Sequence, residues 1–562
     1  MGYKFLTPLQ VWENFSPVKE PVELSIVKTS ENDGVHISEC FFTAETVRDG
    51  KVRGFISTYT KTDWAESTER HPIAALLPPV ASIDLSVYLK ALLDKGIAVA
   101  VINYAGASPE SDKNCTIYPQ SLAHGNFLQA GKRLHLVEED SRDTTWFLWA
   151  KLARRALTAL TEMSFVNKEK MALIGIGAGA QIAWQVAGVD GRLKAVMPLF
   201  GCGYTEYHGH FKYGTSSNIE MKEERKCWIA GTAPQSFAQF INCPLYFLTG
   251  SNSTYGDMDR AYDIVNFVPS YALMGISPMR DRQLGADIIN SAILWLELAL
   301  NGGLKERKPP ELRFENRAGK LFLNVRTNND ILRSVVYFSE NEIDPSLRTW
   351  EQIADISPAD NGSAESEYEI PVYKDHGRVF AFANSVYKDR VIASSRMVTE
   401  VPSQSGIVQE AAPPLVERVI YTGAMGADGA FVAEKNRLFL DGGTLLTEEG
   451  PEGIRGVKAD DANLVTYKLS KSVFAKDKTR LLNFSVYSKE RRRITITLKV
   501  ADDVGEYDSD VELAGLPGWQ CVTLTVADFK NAFGKSLKEW LNVRKLTISN
   551  ASGVLFNNFL WV

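Results

Sequence analysis

Several things are scarce in this 562-residue chain, and each scarcity excludes a kind of chemistry. There are six cysteines, Cys40, Cys115, Cys202, Cys227, Cys243 and Cys521, and none stands in a Cys-x-x-Cys pair or at a zinc-type spacing. That leaves no knuckle for a metal and no dithiol redox motif, and it favours buried free thiols over a secreted disulfide framework. Seven histidines occur, at 36, 71, 124, 135, 208, 210 and 376, so imidazole chemistry has few places to sit. No run of about 18 apolar residues is present, so no membrane partner is expected. The N-terminus, "MGYKFLTPLQVWENF", has no basic flank followed by a long apolar stretch. A cytoplasmic location is the expectation, with secretion the alternative if a leader has been removed. Lys and Arg number 62 against 68 Asp and Glu, giving a net charge of -6. A broadly basic face for nucleic acid is therefore not expected, and the short run "KERRR", Lys489 to Arg493, reads as a solvated turn or strand edge.

What is present is ordinary globular composition, 45% hydrophobic and 23% charged, in a chain too long for one core. Two to four domains are expected. Between residues 20 and 60 the pattern alternates, as in "VELSIVK" and "KVRGFISTYT", which predicts antiparallel edge strands. The pattern then changes to helix and strand in turn. "SIDLSVYLKALLDKG" has helical spacing closed by Gly96, and "IAVAVINY", Ile97 to Tyr104, is a strand apolar on both faces. A helix from about Thr145 to Met163, the strand "MALIGI", a helix from Ala178 to Ala187, and the strands "LKAVMPLF" and "CPLYFLTG" follow. "ADIINSAILWLELALNGG" is a last helix, ended by Gly302 and Gly303. Such alternation predicts a mostly parallel sheet with helices on both faces, over residues 1–303. After the proline-stiffened "KERKPPEL" the period becomes two. Residues 309–402 predict a small β-sandwich, and after "VPSQSGIVQEAAPPLVE" residues 415–562 predict a second, jelly-roll-like one.

The stretch "KMALIGIGAGAQIAWQ", Lys170 to Gln185, is the most informative. A strand, a glycine corner and a helix in that order serve either a dinucleotide or a nucleophile elbow. The dinucleotide fingerprint needs Gly-x-Gly-x-x-Gly and an acidic residue about 20 positions on. Here the spacing is Gly175-x-Gly177-x-Gly179 in mid-domain, and "RLKAVMPLF" offers no acid. No cofactor is expected. The elbow is Gly-x-Ser-x-Gly, and Gly175 to Gly179 reproduces it with Gly177 in the nucleophile's seat.

With its flanks, "DLSVYLKALLDKGIAVAVINYAG", "GRLKAVMPLFGCG" and "CPLYFLTGSNSTYGDMDRAYD", this corner resembles the α/β-hydrolase superfamily, in particular its dienelactone hydrolase and acetylxylan esterase-like branch. The resemblance covers about residues 50 to 302. It implies a nucleophile at Gly177, an acid in an Asn-Asp pair that here reads Asn252-Ser253, and a base in the loop "GISPMRDRQLG", which holds Arg280 and Arg282 but no histidine. All three seats thus read as degenerate: Gly177, Ser253 and Arg280. Asp257 and Asp259 are expected to cap or flank the next helix. The Ala178 N–H would survive as an anion- or carbonyl-binding donor, with a second donor expected near Thr58 to Thr60.

Chemistry could instead have moved to "FGCGYTEYHGHFKYG", where Cys202 is a candidate thiol nucleophile, Glu206 a carboxylate, and His208 and His210 candidate bases. No metal site is claimed. Arg280 and Arg282 could clamp an acidic sugar or carboxylate. The middle sandwich resembles fibronectin type III-like modules, with Trp350 packed inside. The last resembles β-sandwich modules of carbohydrate-active enzymes, which implies Trp519 or Trp540 as a sugar platform, with Trp561 expected to be buried. The reading is a non-catalytic α/β-hydrolase-like protein that binds or assembles near a polysaccharide, with a homo-oligomer compatible. The alternative is a carbohydrate-active hydrolase or esterase with a relocated site.

Overall fold

The computed structural model describes residues 2–562 except 65–68, 82, 109–113, 215–218, 358–364, 375, 411–417, 428–429, 436–440, 472–473, 475–479 and 502–504. The latter half of the expected second linker lies outside the described residues.

Three strands open the first sheet, β1 (Ser25–Asn32), β2 (Val35–Val47) and β3 (Gly50–Lys61), all antiparallel. Then come β4 (His71–Leu77), β5 (Ala98–Asn103), β6 (Val166–Ile176), β7 (Leu193–Leu199), β8 (Leu245–Gly250) and β9 (Ala272–Ser277). Among the described residues these make one nine-stranded sheet in the order β1-β2-β3-β5-β4-β6-β7-β8-β9. β3 meets β5 antiparallel, and from β5 to β9 every pairing is parallel.

The helices are α1 (Pro8–Trp12), α2 (Ser86–Asp94), α3 (Thr145–Thr161), α4 (Ala178–Ala187), α5 (Glu223–Thr232), α6 (Pro234–Phe237), α7 (Met258–Val265) and α8 (Ala286–Asn301). They fall on both faces because the parallel strands are apolar on both. Along β4, Ile73, Ala75 and Leu77 join the core under α3 and α4, while Ala74 and Leu76 join the core under α2 and α8. This alternation is the period of two that a strand imposes. Helices α2 and α8 end where left-handed glycines were expected, at Gly96 and Gly302 with φ of 76° and 77°.

Two β-sandwich-like domains follow. The first stacks a three-stranded sheet (Glu311–Arg317, Lys320–Arg326, Glu365–Ile370) on a larger one built around Ile331–Glu340 and Val379–Tyr387. The second stacks a six-stranded sheet on a five-stranded one around a core that includes Phe484, Trp540 and Trp561. Trp350 and Trp561 are buried as expected.

The first sandwich covers an edge of the parallel sheet. β9 is the last strand, and an uncovered edge is a template for unwanted pairing. The outward-facing Ile276 N–H donates to Ser394 Oγ at 2.8 Å, and the Ile276 carbonyl accepts from Asn384 Nδ2 at 2.8 Å. Tyr246 donates its hydroxyl to the Ile392 carbonyl at 2.6 Å. Deeper in the same contact, Asp259 of α7 faces Arg348, and both side chains are fully buried. The guanidinium donates to both carboxylate oxygens, to the Glu342 carbonyl at 2.8 Å and to the Ile343 carbonyl at 3.1 Å, and it lies 3.8 Å above the Phe380 ring centroid. A buried pair is tolerated when its donors are matched in this way.

Removing one partner should therefore cost more than removing both. Arg348→Met is expected to destabilise the protein by about 3–5 kcal/mol, read as a lower urea midpoint, because Asp259 is left charged in a dry contact. Joint Asp259→Leu and Arg348→Met replacement is expected to recover most of that loss. A single variant as stable as the wild type would contradict this account.

Candidate functional site

The strand β6 turns into α4 at Gly177, whose φ of 58° and ψ of -111° lie where side-chain-bearing residues are strained. Its N–H donates to the Leu199 carbonyl at 2.9 Å, which ties the turn to the end of β7. Close approach of α4 to the sheet is what the small neighbours permit: a methyl at Gly179 would collide with the Leu77 carbonyl. Gly177 itself is not crowded. Beyond its chain neighbours, the one described heavy atom within 4 Å of a Cβ built there is Pro79 Cβ, at 3.7 Å. No ionisable group among the described residues lies within 4 Å of that point.

A tight strand-to-helix corner at the middle of a mixed sheet with helices on both faces defines the architecture. The chain has an α/β-hydrolase fold.

The oxyanion expectation needs a correction. Thr58 and Thr60 lie inside β3, where Thr58 pairs with Ala100 of β5, and they do not border the elbow. The loop beside Gly177 is the one leaving β4, and it begins Pro78-Pro79. Proline has no N–H, so neither residue can supply the second donor of an oxyanion hole. Ala178, the first residue of α4, keeps an N–H without an intrahelical acceptor.

At the end of β8, Asn252 donates through Nδ2 to the carbonyls of Ser346, at 3.3 Å, and Arg348, at 2.8 Å, in the first sandwich. Ser253 is buried and accepts from the Gly256 N–H at 3.1 Å. At the end of β9, Arg280 does not face the elbow. Its guanidinium donates to the Ala433 carbonyl and, at 3.4 Å, to that of Gly443, both in the second sandwich. Gln283 pairs with the backbone of Lys435 in both directions, at 2.9 and 3.1 Å. Arg282 pairs with Asp281 at 3.5 Å and lies 5.6 Å from the Tyr255 ring centroid. The expected clamp of Arg280 and Arg282 on an acidic ligand is thus not assembled, because Arg280 is engaged in domain contacts.

The alternative candidates separate as well. Cys202 is wholly buried, and burial holds its thiol well above the ordinary range, so it is not presented as a thiolate nucleophile. Glu206 accepts from Gln235 Nε2 at 2.9 Å, and burial raises its carboxyl. His208 is exposed and His210 half-buried, and both line a cavity of about 650 Å³ beside the elbow. Trp540 is buried, with its indole N–H donating to the Arg480 carbonyl at 2.9 Å, so it is no sugar platform. Trp519 is half-buried and donates to the Pro451 carbonyl at 3.2 Å.

The cavity draws on the whole chain. α4 gives Ala178 and Gln181, the loop after β7 gives Tyr204 and Tyr207, and α7 gives Arg260 with its capping residue Asp257. The first sandwich adds Asp344 to Ser346, and the second adds Lys499. Asp257 caps α7 as expected, accepting from the Asp259 N–H at 2.9 Å. Asp259 is instead taken up by Arg348. Nothing in the sequence pattern singles out Arg260, Lys499 or the two tyrosines. Asp257 reads only as a helix cap, and Lys499 lies in a different domain. Among the described residues no group of three or more His, Cys, Asp or Glu could hold a metal, and no helix is long and apolar enough to cross a membrane.

No protein-family model matches the sequence, and no curated protein does either. Solved structures do. The chain is similar to acetyl xylan esterase 1 from Thermoanaerobacterium sp., at 12% identity over 53% of this chain and 96% of that one, with a TM-score of 0.40. It is similar to an acetyl xylan esterase from Paenibacillus sp. R4, at 12% identity over 50% and 90%, TM-score 0.39. A glucuronoyl esterase from Solibacter usitatus matches at 13% identity over 46% and 76%, TM-score 0.30. At these identities the likeness concerns the fold.

Burial, then the neighbouring Asp259, pushes the Asp257 carboxyl up to about 7 from an ordinary 3.8. The folded protein thus holds this proton where the unfolded chain has released it, so this group lowers stability progressively as pH rises from about 3.8 to about 7. Asp257→Asn keeps a capping side chain without the titration. Its unfolding midpoint relative to wild type is expected to rise across that window, and a flat difference would contradict the assignment.

Proposed function

We propose that this α/β-hydrolase-fold chain is a binding protein that has lost Ser-His-Asp hydrolysis, and that its ligand site is the cavity beside the Gly177 elbow. The observation that carries the reading is at the elbow itself: no ionisable group among the described residues lies within 4 Å of the nucleophile's Cβ position. Acyl transfer needs a nucleophile, a base to take its proton and donors for the oxyanion. Glycine, two prolines and a docked arginine occupy those places.

The cavity suits a ring-shaped polar ligand of the saccharide class. Pockets of this size bind through apolar and aromatic walls with a few polar groups for orientation. Here Tyr204 and Tyr207 supply rings against which the C–H face of a sugar can stack, and Arg260, Asp257, His208 and His210 supply the polar groups. The esterases with similar folds act on carbohydrate esters by name, and a saccharide ligand here is consistent with that origin.

A second reading, a hydrolase with a relocated site, has one observation in its favour. Asp257 lines the cavity and is held protonated to about 7, within the working range of a general acid.

The two readings part in one experiment. The wild type is expected to bind neutral and acidic oligosaccharides in calorimetry, with Tyr207→Ala weakening binding at least tenfold, and to show no deacetylation or ester cleavage above buffer. Turnover that disappears in Asp257→Asn would overturn the binding reading and establish the second.

A further inference from the structure

We infer that the cavity recognises a carboxylate on its ligand, through Arg260 with Lys499 as the second cation; this rests on the binding reading above. Arg260 is 9% exposed and lines the cavity. A buried guanidinium normally has its five donors matched, as those of Arg348 are. Arg260 is different. Nη2 donates to the His210 carbonyl at 3.2 Å, and Nε stands 3.4 Å from Asp257 Oδ2 without making a hydrogen bond among the described residues.

The head group is held in place nonetheless. It lies 4.3 Å from the Tyr207 ring centroid and 6.0 Å from that of Tyr204, and a guanidinium held on a cavity wall suits a planar, two-oxygen partner. Lys499 reaches the same cavity from the second sandwich, and no ion pair engages it among the described residues. Of the carboxylates on the wall, Asp344 already accepts the Ser346 N–H at 2.9 Å, and Asp257 is the partner a ligand carboxylate would displace from Arg260. The remaining ionisable walls, His135, His208 and His210, add no negative charge.

A sugar acid combines the ring that the tyrosines suit with a carboxylate able to displace Asp257 and hydrogen-bond the Arg260 donor that is left unmatched. Two cations from different domains then read one ligand, so the cavity is specific only in the full chain.

The test compares two probes that differ in this group alone, a galacturonate trimer and its carboxyl-reduced neutral counterpart, titrated into the full-length protein by calorimetry. The acid is expected to bind at least tenfold more tightly. Lys499→Gln, on a half-exposed strand position, should remove at least threefold of that preference. Arg260→Gln, with folding checked by its melting profile, should remove the preference altogether. Equal binding of the two probes, or a preference that survives both substitutions, overturns the inference while leaving the binding reading standing. If neither probe binds, the inference falls together with that reading.

Discussion

The loops that leave β8 and β9 give their polar groups to the two sandwiches, and that commitment governs what the crevice at Gly177 can do. In a hydrolase of this fold those loops carry the acid and the base. Here Asn252 donates to carbonyls at Ser346 and Arg348, and Arg280 and Gln283 bond to the backbone between Ala433 and Gly443. Each of these contacts satisfies buried polar groups, which are costly to leave unmatched. Moving either loop would unmake a domain contact.

The same commitment explains why the cavity is composite. With the sandwiches seated on the β8 and β9 loops, Asp344 to Ser346 and Lys499 are brought to a pocket whose other walls include α4, the loop after β7 and α7. The Asp259 and Arg348 pair locks α7 to the first sandwich, and Asp257 and Arg260 stand at either side of Asp259 on the same turn. The rigidity of that contact therefore positions the cavity's own charged groups. The elbow beside the cavity carries no side chain.

Much of the fold was legible because local signals and burial agree. Continuous apolar runs such as "IAVAVIN" and "LYFLTG" can be buried strands only in a sheet covered on both faces, and α4 occupies Ala178 to Ala187 as its glycine corner indicates. The elbow was legible for the same reason, since its geometry is set by five consecutive residues. What eluded the sequence was decided by residues far apart in the chain. Placing the oxyanion loop near Thr58 to Thr60 failed because β5 inserts between β3 and β4, so that the loop after β4, with Pro78 and Pro79, is the one at the elbow. Arg280 and Arg282 read as exposed cations until the second sandwich covers Arg280. Trp540 on an irregular segment gave no period from which to deduce burial. Arg260 carries no local mark of function, because its character lies in the donors that the rest of the fold leaves unmatched.

The central claim is that the crevice retains no machinery to activate a nucleophile. Gly177→Ser places a hydroxyl at a position where, beyond its chain neighbours, the nearest described atom to the Cβ is 3.7 Å away. Intact-mass spectrometry of this variant after treatment with a fluorophosphonate is the most direct measurement. The account predicts no adduct on Ser at position 177, as with an unactivated surface serine; stoichiometric labelling there would show that a base and an oxyanion site persist, and would contradict it.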